Sequence, residues 1–203
     1  MRTDRIEDVI DVPRMARSRA CVVGTGGSAG LCRHLLRCGL GAIDLLDRDV
    51  VEDVNLCRQE HMADQAGLPK VSALAAELRR INPAAEIRTH HRDVTALPDA
   101  EADALFGGTD LFVAATDSHA AQARVNELVL RLGVPAVFIG VYEGGAAGEV
   151  FFWHPGLTQQ LRLGLPALVV QAEKLLEEVP VHGVKDVTHG SCRSCSSSEM
   201  AEG

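Results

Sequence analysis

The chain has 203 residues, 46% of them hydrophobic, and a formal net charge of −8 without a basic stripe. That is enough chain for a sizeable core, and it excludes a protein that grips bare nucleic-acid backbone. Five Phe, one Tyr and one Trp make the core aliphatic and exclude base stacking as a main activity.

The first segment, MRTDRIEDVIDVPRMARSRA, is charged throughout and lacks a secretory apolar core. No run reaches the roughly 20 apolar residues of a membrane span. A cytoplasmic protein is expected, with neither nucleic acid nor membrane as partner. The cysteines, at 21, 32, 38, 57, 192 and 195, fall mostly in expected core elements rather than in a disulfide framework, which fits a reducing compartment.

In chain order, residues 1–18 are expected to form an N-terminal helical segment. Residues 19–156 follow as the main domain, and 157–203 as a C-terminal helix and loose tail. ACVVG (20–24) is a β-rich run ending in glycine. GSAGLCRHLLRCG (27–39) carries Leu31, Leu35, Leu36 and Cys38 at helical spacing, and Gly39 stops it. AIDLLD (42–47) is a second strand. PKVSALAAELRRIN (69–82) opens on Pro69, and Val71, Leu74, Ala75, Leu78 and Ile81 form its apolar stripe. AEIRTHH (85–91) and DLFVAA (110–115) are strands, and SHAAQARVNELVLRLG (118–133) is a helix. PAVFIGV (135–141) and GEVFFW (148–153) are further strands. PALVVQAEKLLEEV (166–179) is expected to be one more helix. This alternation predicts an α/β fold: a Rossmann-like, doubly wound, mainly parallel sheet with antiparallel strands toward the C-terminus.

Between the first strand and helix, VVGTGGSAG places Gly24, Gly26 and Gly27. Glycine there lets the backbone approach a phosphate, and the helix N-terminus offers free N–H groups. Asp47, about 20 residues on, ends the second strand, where a carboxylate can accept from a ribose hydroxyl. No Lys-Ser or Lys-Thr pair follows the glycines, so this is not a P-loop. A helix N-terminus contributes only about 0.3–1 kcal/mol per anionic contact, whereas a charge-assisted hydrogen bond contributes about 1.5–3 kcal/mol. A triphosphate site therefore needs added cations. Arg58 lies past the acidic strand end and Lys70 opens the next helix.

GTGGSAG, LLDRDVVEDVNLCRQ, GLPK and VAATDSHAAQAR together resemble the ThiF/MoeB/HesA family, relatives of ubiquitin-activating enzymes, over about residues 15–155. The acid-x-acid and Asn-Leu-x-Arg-Gln run is the most specific element. The resemblance implies that Gly24, Gly26 and Gly27 cradle ATP. It implies that Asp47 binds ribose with Asp49 in support, and that Asn55, Arg58 and Gln59 line the phosphate end. Lys70 would meet the phosphates, and Asp117 would organise Mg2+ and ATP. The implied reaction is adenylation of the C-terminal glycine carboxylate of a ubiquitin-like or sulfur-carrier protein ending in Gly-Gly. It also implies a homodimer in which an arginine of the N-terminal segment (Arg2, Arg5, Arg14 or Arg17) reaches the partner's ATP.

Family members often carry two C-x-x-C pairs for structural zinc. Here there is one, Cys192 and Cys195. That is half of a tetrahedral set, to be completed by His189, a second chain or a further region if Zn2+ binds. The same pair is the candidate for a thioester or redox role. Cys57 is expected to be a packing residue. His34, His90, His91 and His119 show no ligand spacing. An NAD-dependent oxidoreductase shares the glycine turn and the strand-end acid but leaves Asn-Leu-Cys-Arg-Gln and Lys70 unexplained. A non-catalytic nucleotide-binding module of the same fold is the other alternative.

Overall fold

The computed structural model describes residues 4–141 and 148–156, all within one compact unit, Met1–Pro166. The expected helix at 166–179, the tail, His189, Cys192 and Cys195 lie outside the described residues.

Six strands form one sheet: β1 (Arg19–Val23), β2 (Ala42–Leu46), β3 (Glu86–His90), β4 (Leu111–Ala114), β5 (Ala136–Val141) and β6 (Gly148–Trp153). Their order is β3-β2-β1-β4-β5-β6. Every pairing is parallel except β5–β6. This is the doubly wound arrangement, in which the chain reverses its direction of travel across the sheet between β1 and β4. Ligands of such sheets bind at the carboxyl ends of the strands at that point.

The helices α2 (Ala29–Arg37), α3 (Lys70–Ile81), α4 (Asp99–Phe106) and α5 (His119–Leu132) cover the two faces. The two-residue period of β1 divides the core. Ala20 and Val22 face α2 and α3, joining Cys32, Leu36, Val71, Leu74 and Leu78. Cys21 and Val23 face α4 and α5, joining Phe106, Val125 and Leu128. β2 is buried along its whole length, as a strand covered on both faces must be.

The apolar periods place α2, α3 and α5 within a residue or two of their expected ends. Ser118 caps α5 through a hydrogen bond from Ala121 N (3.3 Å), and Gly133, at φ +65°, ends it. α4 was not expected from the sequence. The N-terminal segment is less helical than expected among its described residues, with one short helix, α1 (Val12–Met15). It is anchored where Gly41 N donates to Met15 O (3.0 Å) and Ala42 N to Ser18 O (3.1 Å), at the amino end of β2. No described helix is long and apolar enough to cross a membrane.

Candidate functional site

The glycine turn leaves the carboxyl end of β1, with Gly24 N still donating to Leu46 O (2.9 Å). Gly24 has φ +88°, and a Cβ there would fall 2.4 Å from Ala115 O, so only glycine fits against the end of β4. At Gly26 a Cβ would fall 2.6 Å from the Gln59 carboxamide carbon, whereas at Gly27 nothing lies within 4 Å. Gly26 thus makes room for the loop, and Gly27 faces open space at the start of α2.

Asp47 leaves the neighbouring strand end. Its Oδ2 accepts from Thr25 N (2.7 Å) and Thr25 Oγ1 (3.0 Å), and its Oδ1 accepts from Asp49 N (3.0 Å). Three donors from two segments therefore fix the carboxylate. Asp49 in turn accepts from Lys70 Nζ at 3.0 Å and binds Lys70 N through its carbonyl at 3.0 Å. The two acids and the lysine form one connected chain.

The loop from 52 to 60 is shaped by Asn55, which is buried. Its side chain accepts from Glu52 N (3.4 Å), and its carbonyl accepts from Arg58 N (3.1 Å) and Gln59 N (2.8 Å). Arg58 is exposed. Gln59 Oε1 is buried without a hydrogen-bond partner among the described residues. Cys57 is exposed, which corrects the expectation that it packs. The tight turn around Asn55 directs it outward, where its thiol donates weakly to Val54 O (3.5 Å).

One cavity of about 440 Å³ gathers all ten described candidates. Gly24, Gly26 and Gly27 form its floor. Asp47, Asp49 and Lys70 form one wall. Asn55, Arg58 and Gln59 form the loop side, and Asp117 stands at the end of β4. Leu31, Val50, Ile139 and Val141 give it an apolar lip. An adjoining depression of about 150 Å³ shares Gly24, Asp47, Asp49 and Asp117 and runs on to Asp93, Val94 and Thr95. Asp93 is held there by Thr95 Oγ1 (2.7 Å), Thr95 N (2.9 Å) and Arg48 (2.7 Å), and the Thr95 bonds hold its carboxyl below the usual range. Asp117 is exposed, and its side chain, like that of Arg58, makes no hydrogen bond or ion pair among the described residues; Ser118, not Asp117, caps α5.

Arg14 and Arg17 lie beside the amino end of β2 and do not line the cavity of their own chain. His90 bonds Asp44 (3.0 Å) and His91 bonds Arg48 O (2.7 Å), both structural contacts. Sequence reasoning missed Thr25, Asp93 and His61, and also Thr116, which lines both cavities. His61 is buried with both ring nitrogens unpartnered among the described residues, and does not line the cavity. The nearby Gln65 amide is already committed to Met62 N and Glu77. Burial, and then the Lys70 cation, push the His61 imidazole below its ordinary value. No group of three or more His, Cys, Asp or Glu side chains is placed to hold a metal among the described residues.

The ThiF family model matches residues 7–200. The chain belongs to the ThiF family. It is 32% identical over 181 residues to ubiquitin-like modifier-activating enzyme 5 of Drosophila melanogaster, covering 84% of this chain and 45% of that one. The Aedes aegypti enzyme of the same name is 31% identical, with 84% and 46% covered. Among solved structures, TcdA (CsdL) superposes with a TM-score of 0.60 and 32% identity, over 67% of this chain and 53% of that one. The Escherichia coli tRNA N6-threonylcarbamoyladenosine dehydratase TcdA in complex with ATP gives 0.59 and 31%, over 67% and 56%. E. coli MccB with ATP gives 0.65 at 20% identity, over 88% and 52%, a likeness of fold. This ThiF-family chain spans about half the length of the relatives it matches.

Proposed function

We propose that this chain binds ATP and adenylates the C-terminal carboxylate of a small ubiquitin-like or sulfur-carrier protein. The observation that carries the reading is the single cavity holding the glycine turn, the strand-end acids and two cations, Arg58 and Lys70. Gly27 and the start of α2 give phosphate oxygens an open approach to backbone N–H groups. Asp47, fixed by Thr25 and Asp49, faces the same space as a ribose acceptor. Relatives named as ubiquitin-like modifier-activating enzymes, and a TcdA structure that contains ATP, support this reading.

In the proposed reaction a carboxylate oxygen attacks the α-phosphorus. The bond from that phosphorus to the bridging oxygen breaks, and pyrophosphate leaves with the electron pair. An acyl-adenylate remains. The carboxylate is already ionised at neutral pH, so no general base is required. Catalysis is positioning together with charge stabilisation by Arg58 and Lys70. Asp117 is the residue that would hold Mg2+ accompanying the triphosphate, and that ion would neutralise developing charge on the leaving group. In the proposed homodimer, Arg2, Arg5, Arg14 or Arg17 would serve a neighbouring subunit's site.

The test is Mg2+-dependent ATP–pyrophosphate exchange with candidate carriers that keep an intact Gly-Gly end. It is run on the wild type and on Arg58→Ala and Asp117→Ala. Carrier-dependent exchange that collapses in both variants is expected. Binding of NAD in place of ATP would overturn the reading.

A further inference from the structure

The Arg58 side chain has no partner among the described residues, so the direction of its guanidinium depends on how its loop is held. On the N-terminal side the loop is held by Asn55. On the C-terminal side one residue outside the cavity holds it. Arg33, on α2, donates through Nη2 to Glu60 O (2.9 Å) and through Nη1 to the Glu60 carboxylate. The same guanidinium reaches α3, where Glu77 Oε2 accepts from Nη2 (2.7 Å) and Nε (3.1 Å). Gln65 Nε2 donates to the other Glu77 oxygen at 2.8 Å. The backbone leaves room for this contact: a Cβ at Gly30 would lie 2.7 Å from Glu60 Oε1.

We infer that Arg33 is a positioning residue for the proposed reaction: it ties the Arg58–Gln59–Glu60 loop to α2 and α3 and so sets where Arg58 meets the phosphates. This rests on the proposed function. Arg33 does not line the cavity and touches no substrate. Its side chain is only 15% exposed, and its three acceptors are spread over two elements. A planar fork can serve all of them at once, whereas a lysine ammonium acts as a point charge at the end of a flexible stem. Glu60 is itself 60% exposed. An ordinary surface ion pair there would contribute little; the backbone carbonyl bond and the shared Glu77 distinguish this contact from one.

The experiment uses the full chain, with Arg33→Met, Arg33→Lys and Glu60→Gln. Hydrogen–deuterium exchange reads the loop directly, because Arg58 N and Gln59 N are bonded to Asn55 O in the held conformation. Faster exchange in a peptide spanning 52–62 is expected in both Arg33 variants, with α5 and β4 unchanged. The pyrophosphate-exchange kcat should fall about 10–100-fold, the scale of a small misplacement of reacting groups. The KM for ATP should stay near wild type, since the glycine turn and Asp47 are untouched.

Unchanged exchange in 52–62 would overturn the inference. So would faster loop exchange with an unchanged kcat, when Arg58→Ala lowers kcat. If Arg58→Ala leaves kcat intact, the role of Arg58 in the proposed function fails, and the loop exchange still decides whether Arg33 holds the loop. Rescue by Arg33→Lys would show that charge alone suffices and overturn the fork argument.

Discussion

The Lys70 ammonium lies 3.0 Å from a carboxylate oxygen of Asp49, and 7% of the lysine side chain is exposed against 54% of its partner's. A buried cation is thus held at the rim of the cavity by a solvated acid. Asp49→Asn removes the neutralising charge and leaves the cation behind. Screening at the exposed partner limits the cost to about 1 kcal/mol, or a Tm loss of roughly 2–4 °C for a domain of this size. If phosphate oxygens replace Asp49 as the partner of Lys70, saturating ATP should recover most of that loss. Thermal melts with and without ATP check this.

Arg58 is expected to separate activity from stability. Its side chain is exposed and unpaired among the described residues, so Arg58→Ala should stay within about 0.5 kcal/mol of wild-type stability. Pyrophosphate exchange should nevertheless fall about 100-fold or more, as when a preorganised charge is removed from a transition state. Parallel denaturant titrations and exchange assays read the two effects.

The glycines of the turn should divide in the same way. Gly24→Ala forces a Cβ to 2.4 Å from Ala115 O at φ +88°. The expected result is loss of soluble folded protein, or a Tm drop of many degrees. Gly27→Ala meets nothing within 4 Å and should fold normally. Its methyl instead occupies space required by a bound phosphate, and ATP affinity should fall. Circular dichroism and calorimetric titration of ATP distinguish the two outcomes.

Asp44 is fully buried in β2, bonded to Arg19 at 2.9 Å and to His90 at 3.0 Å. Burial pushes its carboxyl upward, but hydrogen bonds from His90 and Arg19 outweigh this and leave it below the ordinary 3.8. A carboxylate lowered on folding contributes stability that is fully present above its unfolded pKa. That contribution is lost as pH falls through the folded value. The wild type should therefore lose it below about pH 4. Asp44→Asn should cost about 3–5 kcal/mol near neutrality, as for a broken buried pair, and should flatten the acid limb. Tm measured from pH 3 to 7 in both proteins checks the sign.

The elements that the sequence makes legible are those with a strong period. β4 and α5 announce themselves by an apolar run followed by a 3.6-residue stripe, and Leu111–Ala114 and His119–Leu132 fall inside the expected bounds. Of the ten candidates that share the cavity, the glycines, Asp47, Arg58 and Lys70 stand out by residue type and position, whereas Asp49, Asn55, Gln59 and Asp117 were singled out by the family resemblance. α4 was not: DAEADALF buries only Ala102 and Phe106, too short and too acidic a pattern to stand out. Thr25, Asp93 and His61 were invisible for another reason. Thr25 meets Asp47, and Asp93 meets Arg48, only once the sheet brings them together, and His61 is marked out only by its burial; no local spacing records any of these. Asp44 reads as one polar residue in an apolar strand until β1 and β3 bring Arg19 and His90 beside it. The outward turn of Cys57 likewise follows from the Asn55 capping geometry, not from its apolar neighbours.

In the sheet, Val23 of β1 is aligned with Leu46 of β2 and Ala114 of β4. Gly24, Asp47 and Ala115 are the next residue along each chain. A slip of one residue between β1 and β2 would move the glycine away from the acid, and one between β1 and β4 would move it away from Ala115. Either would also turn an entire row of core side chains to the wrong face. Errors in assembly and errors in the cavity are therefore the same event. Retention of nucleotide by a freshly refolded sample would then serve as a proofreading signal for correct strand pairing, separating properly paired molecules from compact but misaligned ones.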